Sequence, residues 1–161
     1  GAHPSAHIGE LPLGVPSNLV PFITQTAAGI RKELTVYGSD LPTPDGTCIR
    51  DYIHVVDLAR AHVRALDWME EQPAPLCEVF NLGTGKGNSV LDVVTTFMEV
   101  NGVQLPYQIG PRRPGDIEAI WAETTKSREL LGWTCEHDLR DALRDAWRWQ
   151  EAVGDARTGE G

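Results

Sequence analysis

Residues 43–62 read Thr43-Pro-Asp-Gly-Thr-Cys-Ile-Arg-Asp-Tyr-Ile-His-Val-Val-Asp-Leu-Ala-Arg-Ala-His62. The stretch opens as a turn, because Pro44 brings no amide to a strand ladder and Asp45-Gly46 favours a tight reversal. Ile49 to His54 then resumes an extended pattern. From about Val55 to Glu70 the spacing predicts a helix with Ala59, His62, Leu66 and Met69 on one face. Pro73 and Pro75 end it, since neither ring fits a helix interior. A turn, an extended run and a helix in succession set an alternating α/β pattern, and the flanking sequence continues it.

Toward the N-terminus, Leu34-Thr-Val-Tyr37 is a short β-type run stopped by Gly38. Before it, Ser17 or Asn18 caps a helix whose apolar stripe is Leu19, Ile23, Ala27 and Ile30, with Pro21 tolerated in the first turn. Residues 1–17 are rich in Gly and Pro and read as loop. Toward the C-terminus, Cys77 to Leu82 is predicted as a strand that breaks at Gly83-Thr-Gly85-Lys-Gly87. Ser89 caps the next helix, and Ser89-Val-Leu-Asp92 is a capping box with Asp in the usual Glu position. Val90, Val93, Val94, Phe97 and Met98 form its inner face. A strand near Tyr107–Ile109 leads into Pro111-Arg-Arg-Pro-Gly-Asp116. A short helix closed by Gly132 follows, then one from about Leu139 to Gln150 with Leu143 and Trp147 inward. The last residues read as a flexible tail. The fold class is α/β.

At 161 residues the chain suits one domain. Fourteen basic against 23 acidic residues leave a net charge of −9, which argues against nucleic acid or an anionic membrane as partner. No apolar run approaches the ~20 residues that cross a bilayer. Cys48, Cys77 and Cys135 are odd in number and form no C-x-x-C, so a reducing, cytoplasmic setting is expected. His3 and His7 have a metal-like spacing for a helix, but Pro4 opposes a helix there and no metal site is expected.

Chemistry-bearing motifs are few. Gly83-Thr-Gly85-Lys-Gly87 is neither G-x-G-x-x-G nor a Walker A loop, and reads as a turn between strand and capped helix. No nucleophile elbow or Cys–His signature is present. Arg50 and Arg113 stand in rigid, turn-rich settings, where a planar guanidinium fork can match phosphate oxygens two at a time. On composition alone, surface salt bridges with the acidic excess are the simpler account of both.

Longer strings shift that balance. The stretch 43–62 occurs in order with Gly1-Ala-His-Pro-Ser5, Ile8-Gly-Glu10, Ser17-Asn-Leu19, Phe80-Asn-Leu-Gly-Thr-Gly85, Asn88-Ser-Val-Leu91, Arg112-Arg-Pro-Gly-Asp116 and Ala146-Trp-Arg-Trp-Gln150. Together they resemble the UDP-glucose 4-epimerases, which are extended short-chain dehydrogenase/reductases, over residues 1 to about 150. The resemblance implies a doubly wound N-terminal domain holding NAD and a smaller C-terminal lobe holding the UDP-sugar. The family's catalytic Tyr and Lys, their Ser or Thr partner and the glycine-rich NAD loop all lie before the point matching Gly1. No catalytic or cofactor-binding residue is therefore expected in this segment, which corresponds to the substrate-holding half.

Position by position, the resemblance brings Asn18 and the Leu19 amide toward diphosphate and sugar. It sets Thr35, Val36 and Tyr37 along the uracil slot through backbone groups. Arg50 and Arg113 grip the diphosphate, Asp116 accepts from the ribose hydroxyls, and Ile120 faces the hexose. Ser17 departs from the family's usual Asn, and His54, Asp57 and His62 are expected to be structural. Residues 1–52 and 84–150 would form the substrate lobe. Residues 53–83 would supply a helix and strand to the absent Rossmann sheet, and 151–161 a flexible tail. The implied function is UDP-glucose/UDP-galactose interconversion in galactose metabolism by a cytoplasmic homodimer, with this segment alone inactive. A UDP-pentose or uronate 4-epimerase, and a non-catalytic nucleotide-sugar-binding module, are the alternatives.

Overall fold

The computed structural model describes the chain through Thr158, with side chains through Gly154. Its elements are α1 (Leu19–Ala27), β1 (Leu34–Tyr37), β2 (Ile49–Arg50), α2 (Val55–Glu70), β3 (Asn88–Ser89), α3 (Val90–Asn101), β4 (Tyr107–Gly110), α4 (Thr125–Leu131) and α5 (Leu139–Thr158). β1 pairs in parallel with β4, with Leu34 opposite Tyr107 and Tyr37 opposite Gly110. β2 pairs antiparallel with β3.

The main core gathers Ile23 of α1, Leu34 and Val36 of β1, Val93, Val94 and Phe97 of α3, Leu105, and Leu143 of α5. Trp147 meets Phe97 edge to face at 5.8 Å between ring centres, an arrangement the aromatic quadrupole favours. The start of α3 bears out the capping signal. Ser89 Oγ accepts from the Asp92 amide while the Asp92 carboxylate accepts from the Ser89 amide. Its C-terminus is closed by Gly102 in the left-handed conformation.

A second, smaller cluster joins Ala61 of α2 with Leu131 and Trp133, flanked by Ala65, Trp68, Phe80 and Leu82. This cluster corrects the face expected for α2. Ala59, His62, Leu66 and Met69 are exposed, and the buried positions are Asp57 and Ala61. The helix carries two apolar faces. The one with Ala61, Ala65 and Trp68 packs on α4 and Trp133, and among the described residues the other is left open.

Further differences have local causes. Residues 77–82 form no ladder, because an extended segment becomes a strand only with a partner. The polar pair Asn88–Ser89 pairs with β2 instead, without a hydrophobic pattern to announce it. α1 stops at Ala27, where Gly29 turns with φ near 73°, so Ile30 falls off the stripe and is exposed. α5 continues to Thr158 through Glu151, Ala152 and Val153, good to adequate helix formers, where composition suggested a tail from 151. Residues 159–161 of that expected tail lie outside the described residues.

Candidate functional site

Period-two alternation divides β1 between two faces. Leu34 and Val36 point into the core, whereas Thr35 and Tyr37 lie on the opposite, more open face. Val36 is 1% exposed, so its side chain is closed to a ligand. Gly110, opposite Tyr37, has no side chain for a packing reason: a Cβ there would lie 2.6 Å from Thr35 Cγ2. Beyond it the chain turns through the Arg112–Asp116 loop. Arg113 lies over the Tyr37 ring at 4.9 Å and donates from Nε and from one terminal nitrogen to the two Asp116 carboxylate oxygens, at 3.0 and 3.1 Å. Its hydrogen bonds to Asp116 hold the Arg113 guanidinium above its ordinary pKa, so it is charged at any physiological pH.

Arg50 reaches the same loop from β2. One guanidinium nitrogen donates to the carbonyls of Ile49, at 2.8 Å, and Ile117, at 2.7 Å. The Ile49 amide donates to Glu118 O and the Ile120 amide to Ile49 O, so residues 118–120 run alongside β2. Ile120 sits on that segment, half exposed and next to the half-exposed Trp121. Arg113 thus contacts both Tyr37 and Asp116, with Arg50 joined through the backbone of the same loop.

Asn18 and Leu19 occupy a different place. They stand at the N-terminus of α1 and line a cavity of about 400 Å³, together with Glu10, Asp51, Tyr52 and His54. Burial pushes the Tyr52 hydroxyl up to about 12, so it stays protonated there. Among the described residues, no hydrogen bond or ion pair joins Asn18 or Leu19 to the arginine cluster.

Asp51 and Glu10 were not anticipated. Asp51 Oδ1 accepts from the Thr84 amide and hydroxyl, at 3.0 and 2.6 Å, and Oδ2 accepts from the amides of Gly85 and Ala122, at 3.2 and 3.1 Å. The glycine-rich loop therefore already cradles an anion, the chain's own carboxylate. Its amides do not fit a dinucleotide pyrophosphate, and its reading as a turn stands. The acidic residue directly after Arg50 was the available signal. Glu10 Oε1 accepts from Asn18 Nδ2 at 3.0 Å, a contact between loop residues that no periodicity reveals.

His54 and Asp57 belong to a buried network. The His54 and His137 rings stack with centres 4.3 Å apart, His54 facing Asp145 and His137 facing Asp57. Asp57 also accepts from the amides of Glu136 and His137, pinning the start of α5 to α2. His62 is exposed and bonds the Leu58 carbonyl of its own helix. The His3–His7 segment is not helical, and among the described residues no three His, Cys, Asp or Glu side chains gather at metal-binding distance. No described helix is long and apolar enough to cross a membrane.

The α/β architecture, with the arginine loop closing over the open face of β1, is that of the C-terminal lobe of extended short-chain dehydrogenase/reductases. The chain belongs to the GDP-mannose 4,6 dehydratase family, whose model matches residues 3–146. It is 52% identical over 149 residues to UDP-glucose 4-epimerase 3 of Oryza sativa subsp. japonica, covering 92% of this chain and 40% of that protein. It is 50% identical over 150 residues to the UDP-glucose 4-epimerase of Yersinia pestis, covering 93% of this chain and 44% of that protein. Among solved structures, a UDP-glucose 4-epimerase from Stenotrophomonas maltophila with NAD and formylated UDP-arabinopyranose superposes with a TM-score of 0.93. The two are 51% identical, with 97% of this chain and 46% of the other covered. The Bifidobacterium longum enzyme in complex with NAD+ and UDP gives 0.89 at 45% identity, covering 96% and 45%. The chain spans less than half the length of these relatives.

Proposed function

We propose that this chain is the UDP-sugar-binding portion of an NAD-dependent UDP-glucose 4-epimerase that interconverts UDP-glucose and UDP-galactose in galactose metabolism. The observation that carries the proposal is the Arg113 fork, fastened by Asp116 and lying on the Tyr37 ring, with Arg50 anchored behind it. A guanidinium fork suits a diphosphate, a carboxylate suits the ribose diol, and the edge of β1 at Thr35, Val36 and Tyr37 offers backbone groups to uracil. On binding, the diphosphate replaces Asp116 as the partner of Arg113, and Asp116 turns to the ribose. Asn18 and the Leu19 amide approach the diphosphate and sugar, and Ile120 bounds the hexose.

NAD would supply the hydride chemistry from a domain outside this chain, because the glycine-rich loop here is closed by Asp51 and does not fit it. Residues 53–83 would return a helix and a strand to that domain's sheet. The whole protein is proposed to be a cytoplasmic homodimer, and this chain alone to be inactive. A UDP-pentose or uronate 4-epimerase is the second reading, favoured by the formylated UDP-arabinopyranose in the Stenotrophomonas maltophila structure.

The test is calorimetric titration of UDP into the intact protein together with turnover of UDP-galactose. A charge-assisted hydrogen bond contributes about 1.5–3 kcal/mol, so Arg113→Ala or Arg50→Ala should weaken UDP binding by roughly ten- to a hundredfold. Unchanged affinity in both variants would remove the site. UDP binding without turnover would favour a nucleotide-sugar-binding module instead.

A further inference from the structure

Asn18 is the N-cap residue of α1, with φ −104° and ψ 150°, and asparagine is among the best capping residues. Yet its side chain makes no capping hydrogen bond. It donates instead from Nδ2 to Glu10 Oε1 at 3.0 Å. A carboxylate only accepts, so Glu10 must face the NH2 end of the amide and keeps that side chain off the first turn. Pro21 contributes no amide, and among the described residues no acceptor is found for the amides of Leu19 and Val20. Glu10, Asn18, Leu19 and Val20 all line the same cavity of about 400 Å³.

The position of Glu10 is itself fixed. Trp149 of α5 donates from Nε1 to the Glu10 carbonyl at 3.0 Å, and the indole packs so closely on Gly9 that no Cβ would fit there. The Glu10 amide donates to Gly1 O at 2.8 Å. A rigid aromatic anchor thus aims one carboxylate at one amide.

We infer that Glu10 is a positioning residue of the nucleotide-sugar site: it diverts Asn18 from capping α1 and so keeps the first-turn amides of that helix open to the ligand. The inference rests on the proposed binding of the diphosphate near Asn18 and Leu19. Without Glu10, the Asn18 side chain folds back and caps the helix, competing with the ligand for those amides.

The consequence separates positioning from ordinary structural support. In the intact protein, Glu10→Ala should weaken UDP binding about five- to tenfold, the size of one ordinary hydrogen bond, while the melting temperature holds or rises as Asn18 becomes a cap. Glu10→Gln should rescue affinity relative to Glu10→Ala, since its amide oxygen still accepts from Asn18. In Glu10→Ala/Asn18→Ala the gain in melting temperature should disappear. Unchanged affinity in Glu10→Ala, where Arg113→Ala binds more weakly, would overturn the role of Glu10 and leave the site intact. So would a loss of affinity that only follows a lowered melting temperature. If the unmodified protein does not bind UDP, the site and this inference fall together.

Discussion

Arg113 and Asp116 satisfy each other through parallel hydrogen bonds, so a ligand at the proposed site would have to exchange partners with them to avoid leaving a bare charge on either side. Such exposed pairs contribute little stability, so replacing Arg113 should change binding far more than melting temperature. Ile120 carries a different expectation. It is half exposed, and branching at Cβ leaves its χ1 stiff. A pocket discriminates by about 1–3 kcal/mol per misfit group, so UDP-N-acetylgalactosamine should be used ten- to a few hundredfold less well than UDP-galactose. Comparing kcat/KM for the two sugars in the intact protein and in Ile120→Gly checks this, and an unchanged ratio would exclude Ile120 as the gate. His54 sets a pH dependence. Its Nδ1 accepts from the Val56 amide at the start of α2 at 3.1 Å, so Nε2 holds the proton and donates to Asp145. Burial pushes the imidazole below its ordinary 6.5, more than the hydrogen bond to Asp145 raises it. The unfolded chain therefore binds this proton more readily, and stability present at neutral pH declines as pH falls below about 6.5. Burial alone raises Asp57, but its hydrogen bonds with His137 outweigh that and hold the carboxyl below 3.8. Its contribution is likewise lost in acid, at lower pH. Melts between about pH 7.5 and 5 should show the first decline, and His54→Asn, which keeps a capping group without the titration, should flatten it.

At the scale of elements, caps and carboxylate clamps do what the short strands cannot. β2 and β3 pair over two residues each, too few to hold a loop in place. Asp51 supplies the hold, fastening the Gly83–Gly85 turn and Ala122 to the end of β2. Asp51→Ala should cost about 3 kcal/mol by leaving several partly buried donors without an acceptor, and should loosen the 118–122 segment that carries Ile120. Chemical denaturation and hydrogen exchange at Thr84, Gly85 and Ala122 would measure both, and full retention of exchange protection at those amides would refute the clamp. Ser89→Ala should cost about 0.5–2 kcal/mol through loss of the cap on α3.

At the scale of the molecule, the open stripe on α2 is the dominant feature. Val63, Leu66 and Met69 are each more than half exposed, on a helix whose other face is packed against Trp133. Apolar side chains aligned along a surface drive association. Leu66→Lys with Met69→Lys should therefore reduce self-association of the isolated chain without lowering its melting temperature, as sedimentation and melting would record. A drop in melting temperature would mean that the stripe is packed in solution.

Local chemistry wrote much of this into the sequence. The α/β class, the bounds of α2 and β1, the place of β4, the Ser89–Asp92 capping box and the inner face of α3 follow from caps, breakers and periodicity, which act over a few residues. The family follows from strings that recur in order along the chain. Of the candidate site, Arg50 and Arg113 were readable as anion-clamp candidates and Asp116 as a ribose acceptor only through the resemblance, but not that Arg113 and Asp116 bind each other. Only the tertiary structure decided which of two apolar faces of α2 is buried, because both satisfy the helical period and the choice depends on Trp133, distant in sequence. It alone brought Asp51 to the glycine loop and Glu10 to Asn18, because a carboxylate's partner is set by where the folded backbone carries the donor, and sequence separation does not record that.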